Sequence, residues 1–320
     1  MSAAGSRLAV LSNGDSRGNR GGRWARLPLH DLGGPSLLTR SLDELPAALD
    51  ALLEARPDAL AVNGGDGTLQ TLLAECVRRG VLGELPPIAV LPGGTTNMCA
   101  HDLSGAWNLR RALHAYAALR DRPRADWPVV RRPILRIETG DGPTAGTFVG
   151  LGAVVRGVEY WQHALRRRPR GGDLGVAWAI ARSLWRMARR KPPFDRPTPV
   201  GLGFDGAAPA STEVSALALT TLDRLPLGMR PYWGDHRGPM VATWMDAHPQ
   251  RPLRYVPPLL WGRVGGLPAH GGYHSLRATS AVLEVDETWL LDGELQSAPG
   301  PLAVTVGGPL DFLDLRRRRP

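Results

Sequence analysis

Residues 59–68, Ala-Leu-Ala-Val-Asn-Gly-Gly-Asp-Gly-Thr, set one aspartate among three glycines at the end of a short apolar run. Thr68 opens an apolar-periodic stretch (Leu69, Leu72, Leu73, Cys76, Val77), which predicts a helix from Thr68 to about Arg79. A strand, a glycine turn and a helix N-terminus make an anion cradle, most often for phosphate, because free N–H groups and the positive helix end face the ligand. Gly64, Gly65 and Gly67 suit the turn by admitting φ > 0 and close backbone approach. Asp66 would by itself repel a phosphate there. A divalent cation between the two removes the conflict, which makes Asp66 the candidate metal ligand, directly or through water. The plainer alternative is a tight strand-to-helix turn that holds nothing.

The remaining composition narrows what could help. The chain has 320 residues and a formal net charge of +9, and Lys191 is the one lysine among 39 basic residues. No lysine follows a glycine loop, so a GxxxxGK[ST] phosphate loop is excluded. Backbone amides, arginine and metal would have to hold a nucleotide. No aromatic-interleaved basic strand, zinc-finger spacing or helix-turn-helix pattern supports specific nucleic-acid binding, whereas general attraction to anionic surfaces, membranes included, is expected. Cys76 and Cys99 fit neither a disulfide framework nor a zinc site. With no secretory pattern and no apolar run near the ~20 residues of a membrane span, a cytoplasmic location is expected.

The elements that must position these residues come in two styles. Through about residue 125 the pattern alternates strand and helix, as in an α/β domain. Strands are expected at Arg7–Leu11, Leu60–Val62 and Ile88–Leu91, with helices from near Ser41 and from Asn108 to about Leu119. Ser41 and Glu44 have capping-box spacing. The strand ends at Asn13, Gly64 and Gly93 all run into polar loops, the last being Pro92-Gly-Gly-Thr-Thr-Asn97. Such loops converge at the carboxyl edge of an open sheet. Beyond Pro123, proline-bounded alternating segments predict a β-rich second domain, giving a division into 1–128 and 129–320 with a tail able to pack back on the first domain. An Arg-rich stretch, His163 to Phe194, interrupts that pattern. Trp178 and Trp185 share a helical face there with Leu174 and Ala181, and the arginines fall mostly to the side. This suits either a membrane interface or packing of the Trp face on the sheet.

Asn63-Gly-Gly-Asp-Gly-Thr68, Pro92-Gly-Gly-Thr-Thr-Asn97 and Leu291-Asp-Gly-Glu294, in this order and spacing, resemble the diacylglycerol kinase catalytic-domain family, which includes bacterial lipid kinases and the sphingosine kinases. The glycine motif alone is shared with NAD kinases; the Asp-Gly-Glu element favours lipid kinases. The resemblance implies an α/β nucleotide-binding domain, an antiparallel β-rich domain and an active site in the cleft between them. It implies ATP and Mg²⁺, a lipid substrate, peripheral membrane association and a part in phospholipid biosynthesis. Asn13, Ser16, Arg17, Thr39, Gly64, Gly65, Asp66, Gly67, Thr68, Thr95 and Asn97 would then bind nucleotide. Glu294 would act as the base, with Asp292 beside it and Asp66 completing the catalytic set. Leu225–Pro231, where the family carries an acidic metal-binding element, has no carboxylate. An NAD kinase-like enzyme and a catalytically weakened lipid- or nucleotide-binding protein are the alternatives, and homo-oligomerisation stays open.

Overall fold

The computed structural model describes residues 5–20, 32–167, 173–189, 191–233, 238–268, 270–297 and 300–316. The chain forms two compact units, 1–133 with 308–320, and 134–307.

The first unit is an α/β domain. Strands β1 (Leu8–Asn13), β2 (Gly33–Thr39), β3 (Ala59–Gly64) and β4 (Ile88–Pro92) are all parallel, in the order β2-β1-β3-β4. β1, β3 and β4 read as unbroken apolar runs because both faces are covered. β2 was not anticipated: its Gly33-Gly34-Pro35 start and part-exposed residues carry no strand pattern. Helix α1 (Leu45–Ala55) follows a short 3-10 turn. The expected capping box is not formed; the Glu44 carboxylate instead accepts the N–H of Arg40 at 2.7 Å, and Pro46 sits in the first turn. Helix α2 (Asp66–Arg79) begins two residues before Thr68, with Gly65 as N-cap and Gly80 in the left-handed conformation at its end. Helices α3 (Met98–Leu103) and α4 (Leu109–Ala117) follow β4. Tyr116 fixes α4 to the sheet by donating its hydroxyl to the Ala9 carbonyl at 2.8 Å.

The second unit is antiparallel and β-rich. The second half of β5 (Val129–Thr139), β6 (Gly142–Gly146), β7 (Phe148–Gly152), β8 (Thr198–Phe204), β9 (Ala210–Thr220), β10 (Met240–Asp246), β11 (Tyr273–Ala278), β12 (Ser280–Val285), β13 (Trp289–Leu291), β14 (Glu294–Gln296) and the first half of β15 (Gly300–Leu313) build it. Their order is β14-β13-β7-β9-β8-β12-β15, with β10 on β9 and β11 on β10. Leu217, Leu219, Leu283, Trp289 and Val304 are among its buried core. Helices α5 (Ala153–Arg167) and α6 (Asp173–Ala188) form a hairpin between β7 and β8, and α7 (Pro252–Leu259) packs on α6. Among the described residues no helix is long and apolar enough to cross a membrane.

Candidate active site

β2 lies on one side of β1, and β3 with β4 on the other, so the strand order reverses at β1. That reversal opens a crevice at the carboxyl ends of β1 and β3, where open α/β sheets hold ligands. The loops after β1, β3 and β4 meet there through backbone. Gly18 donates its N–H to the Gly93 carbonyl at 2.8 Å, and Gly93 donates to the Gly64 carbonyl at 3.0 Å. A Cβ on Gly18 would stand 2.7 Å from the Gly93 oxygen, one on Gly64 would strike the Thr68 side chain, and one on Gly94 would land on the Gly65 Cα. Gly64, Gly65 and Gly67 do not use positive φ, contrary to the expectation from sequence. Gly64, Gly18 and Gly94 are held to glycine by crowding, where three loops and a helix start share one small volume.

Side chains then lock the junction. Asn13 donates from Nδ2 to the Thr68 hydroxyl at 3.0 Å, and its Oδ1 accepts the N–H of Asp15. Ser16 donates its hydroxyl to the Asn13 carbonyl at 2.9 Å, and half-buried Arg17 follows it on the loop. The Thr39 hydroxyl is buried and donates to the Ser12 carbonyl at 3.4 Å, tying β2 to β1. Asn97 closes its own turn: Oδ1 accepts the Gly94 N–H at 2.7 Å and Nδ2 donates to the Gly94 carbonyl, with Asn97 at φ 52°. Thr95, half-buried, rides on that turn.

Asp66 occupies the first turn of α2, but its carboxylate turns towards α3. Oδ2 accepts the Met98 N–H at 3.1 Å and Oδ1 the Cys99 N–H at 2.9 Å. A carboxylate from α2 thus caps α3, whose own N-cap, Asn97, makes no side-chain cap. Burial pushes the Asp66 pKa above the usual carboxylate range, opposed by those N–H groups and by the Cys99 thiol. The awkward anion in the cradle is therefore held by donors of the neighbouring loop. It joins the second and third loops.

Sequence reasoning missed Asn19. Its side chain is fully buried and Nδ2 donates to the carbonyls of Asn13 (2.8 Å) and Asn63 (3.1 Å), linking the first loop to β3. A lone asparagine in a glycine-rich loop has no periodicity, and only the contact reveals it. Asn19→Ala is expected to lower stability by about 2 kcal/mol, since two buried carbonyls lose a donor; a denaturant melt measures it, and an unchanged midpoint would remove Asn19 from the junction.

Asp292 and Glu294 lie in the second unit, at the β13–β14 hairpin. Asp292 (φ 48°) and Gly293 (φ 97°) form its two-residue turn, the left-handed pair such hairpins need. Asp292 is buried, and both its oxygens accept the Thr147 N–H, while the Thr147 hydroxyl donates to Oδ1 at 2.7 Å. Its carboxylate pins the turn to the segment between β6 and β7. Glu294, the first residue of β14, is exposed. Leu225–Pro231 contains a 3-10 turn, and Arg230 donates Nε to the Asp223 carbonyl at 3.1 Å. Among the described residues no three acidic, histidine or cysteine side chains cluster as a metal cage.

Residues 8–125 match the diacylglycerol kinase catalytic domain family. The match lies within the first unit, and a kinase-family domain of this kind supports a phosphotransferase. No curated protein matches the sequence. Among solved structures, a proposed diacylglycerol kinase from Bacillus anthracis str. Sterne superposes with a TM-score of 0.67 at 14% identity, over 98% of this chain and 97% of its own. A diacylglycerol kinase of the same organism gives 0.63 at 12% identity, with 98% of each chain covered. At these identities the likeness shows the fold, an α/β domain followed by an antiparallel β-rich region. An NAD kinase from Archaeoglobus fulgidus in complex with ATP reaches a TM-score of 0.45 at 14% identity, over 97% of this chain and 94% of its own, too low to carry an argument.

Proposed function

We propose that the chain is an ATP-dependent lipid kinase that transfers the γ-phosphate to a hydroxyl of diacylglycerol or a related lipid. The junction of three glycine loops at the start of α2 carries the reading. It presents the N–H groups of Gly65 and Gly67 at the start of a 14-residue helix whose glycine N-cap has no capping side chain, while the Thr68 N–H already donates to the Gly65 carbonyl at 3.0 Å. The lipid hydroxyl oxygen bonds to the γ-phosphorus as the bond to the β-phosphate oxygen breaks, and ADP leaves with that electron pair. Glu294 accepts the hydroxyl proton. Asp292 keeps the turn under Glu294 in place and is its positioning residue. The N–H groups of Gly65 and Gly67 bind the phosphates, Asn13, Thr39 and Asn97 hold the loops around them, and Ser16, Arg17 and Thr95 line the nucleotide side.

The residues fit Mg²⁺ only as an ion carried largely by phosphate and water. One carboxylate, Asp66, stands at the cradle with both oxygens already accepting N–H groups, and the Oδ1 atoms of Asn19 and Asn63 are buried at the same junction without a hydrogen-bond partner. Those acceptors suit metal-bound water, and the ion, when bound, neutralises charge on the transferring phosphate. Acting on a lipid, the chain works at a bilayer surface as a peripheral, cytoplasmic protein.

Labelled ATP offered with diacylglycerol, sphingosine or NAD tests the proposal, with label expected in a lipid. Label in NAD, or in none of the three while lipid still binds, would overturn it. Glu294→Gln is expected to lower kcat by about 10²–10⁴-fold with little change in the KM for ATP. A variant as active as the parent would remove Glu294 as base.

A further inference from the structure

Helix α6 turns its tryptophans outward, not onto the sheet. Trp178 is 52% exposed and Trp185 38%, whereas Met187 on the opposite side is buried with Phe194 and Val256. Arg182 and Arg189 do not fall to the side of the Trp face. Trp178, Arg182, Trp185 and Arg189 follow at i, i+4, i+7 and i+11, which is one stripe of a helix. Each indole carries a cation over its ring. Arg182 stands 5.6 Å from the Trp178 centroid, Arg189 5.6 Å and Lys191 4.9 Å from that of Trp185. Arg182 also donates to the Tyr160 hydroxyl of α5 at 2.8 Å, which holds the stripe in place. The side chains of Leu174 and Arg190 lie outside the described residues. On α7, packed against α6, Leu253 is 53% exposed, and Trp261, just past its end, is 51% exposed.

The charge on this surface is one-sided. From Trp178 to Lys191 and from Arg251 to Val264 the sequence has no acidic residue, while Arg182, Arg186, Arg189, Lys191, Arg251, Arg254 and Arg263 are all present. Two copies meeting through it would oppose like charges. An anionic surface is its complement.

We propose that the Trp-Arg stripe of α6, with Leu253 of α7 and Trp261 just after it, docks the second unit on an anionic lipid bilayer. Indoles seat at the head-group level, where tryptophan is enriched, and the guanidinium groups above them meet lipid phosphates. The stacked pairs are formed before contact, so little side-chain freedom is lost on docking. The inference rests on the lipid-acceptor reading for its purpose, but it can be measured without catalysis.

The test is sedimentation of the full chain with vesicles of phosphatidylcholine alone or with about one-third phosphatidylglycerol, a composition that sets the surface charge. Partitioning is expected on the anionic vesicles, weakened by salt. It should fall about tenfold or more in Trp178→Ala/Trp185→Ala and in Arg182→Gln/Arg189→Gln, since both the indoles and the charges contribute. All four side chains reach solvent, and a thermal melt confirms folding; Trp261→Ala probes α7 independently. Phosphorylation of a short-chain, water-dispersed diacylglycerol should stay at the parent rate. Equal partitioning on neutral vesicles, unchanged partitioning in the variants, or a dimer that the Trp substitutions dissolve would each overturn the proposal. Anionic-vesicle binding by a chain that phosphorylates no lipid would support the docking surface and sink the functional reading alone.

Discussion

Gly94→Ala is expected to abolish activity while much of each unit stays folded. The added methyl would land on the Gly65 Cα, a backbone atom that no rotamer change can move aside. The loop after β4 and the loop after β3 must therefore part. Overpacking of this kind costs about 1–3 kcal/mol, and a displacement near 1 Å at a reacting centre lowers the rate about 10²-fold. Gly94 also donates its N–H to the Asn97 side chain, so the turn that presents Thr95 shifts with it. Steady-state kinetics and a thermal melt measure the two effects separately. Parent-like kcat/KM would mean that the two loops need not touch. Gly83, with nothing within 4 Å of its added Cβ, is the control, and Gly83→Ala should leave both readouts near the parent.

Asp66→Asn comes second. Two consequences are expected because the carboxylate has two tasks. On the proposed kinase reading its negative charge would support the cation, and its loss should lower kcat by about 10²-fold or more and raise the Mg²⁺ concentration needed for half-maximal rate. As the cap of α3 it accepts two N–H groups, whereas an amide offers one acceptor and turns an NH₂ towards the other donor. The melt should drop by about 1 kcal/mol, the usual worth of a helix cap. A rate loss with an unchanged Mg²⁺ requirement would assign Asp66 to the cap alone. Parent-like activity would take it out of the mechanism.

Much of the first unit was legible because parallel strands covered on both faces must be apolar throughout. β1, β3 and β4 show this, and the glycine turns at their ends mark the site. β2 was not legible: its small, part-exposed residues follow no strand period. The start of α2 was set two residues late because Asp66 and Gly67 carry no apolar periodicity. Positive φ, the reason the sequence suggested for Gly64, Gly65 and Gly67, is not used, and at Gly64 it is steric crowding, which sequence does not display, that requires glycine. The Asp292-Gly293 pair, read from sequence as part of a catalytic motif, forms the two-residue turn of the β13–β14 hairpin. That its aspartate is buried on Thr147, 145 positions earlier, was not legible.

The chain's own order of residues determined the class of most of its elements, the absence of a phosphate-loop lysine, and the candidates proposed to handle phosphate. These depend on composition and near-neighbour spacing. Only tertiary structure decided what each group does: that the Asp66 carboxylate turns from the cradle to cap α3, that Asn19 joins two loops, and that Trp178 and Trp185 face outward under arginines. Each is a contact or an exposure set by how the chain packs, and local sequence does not contain it.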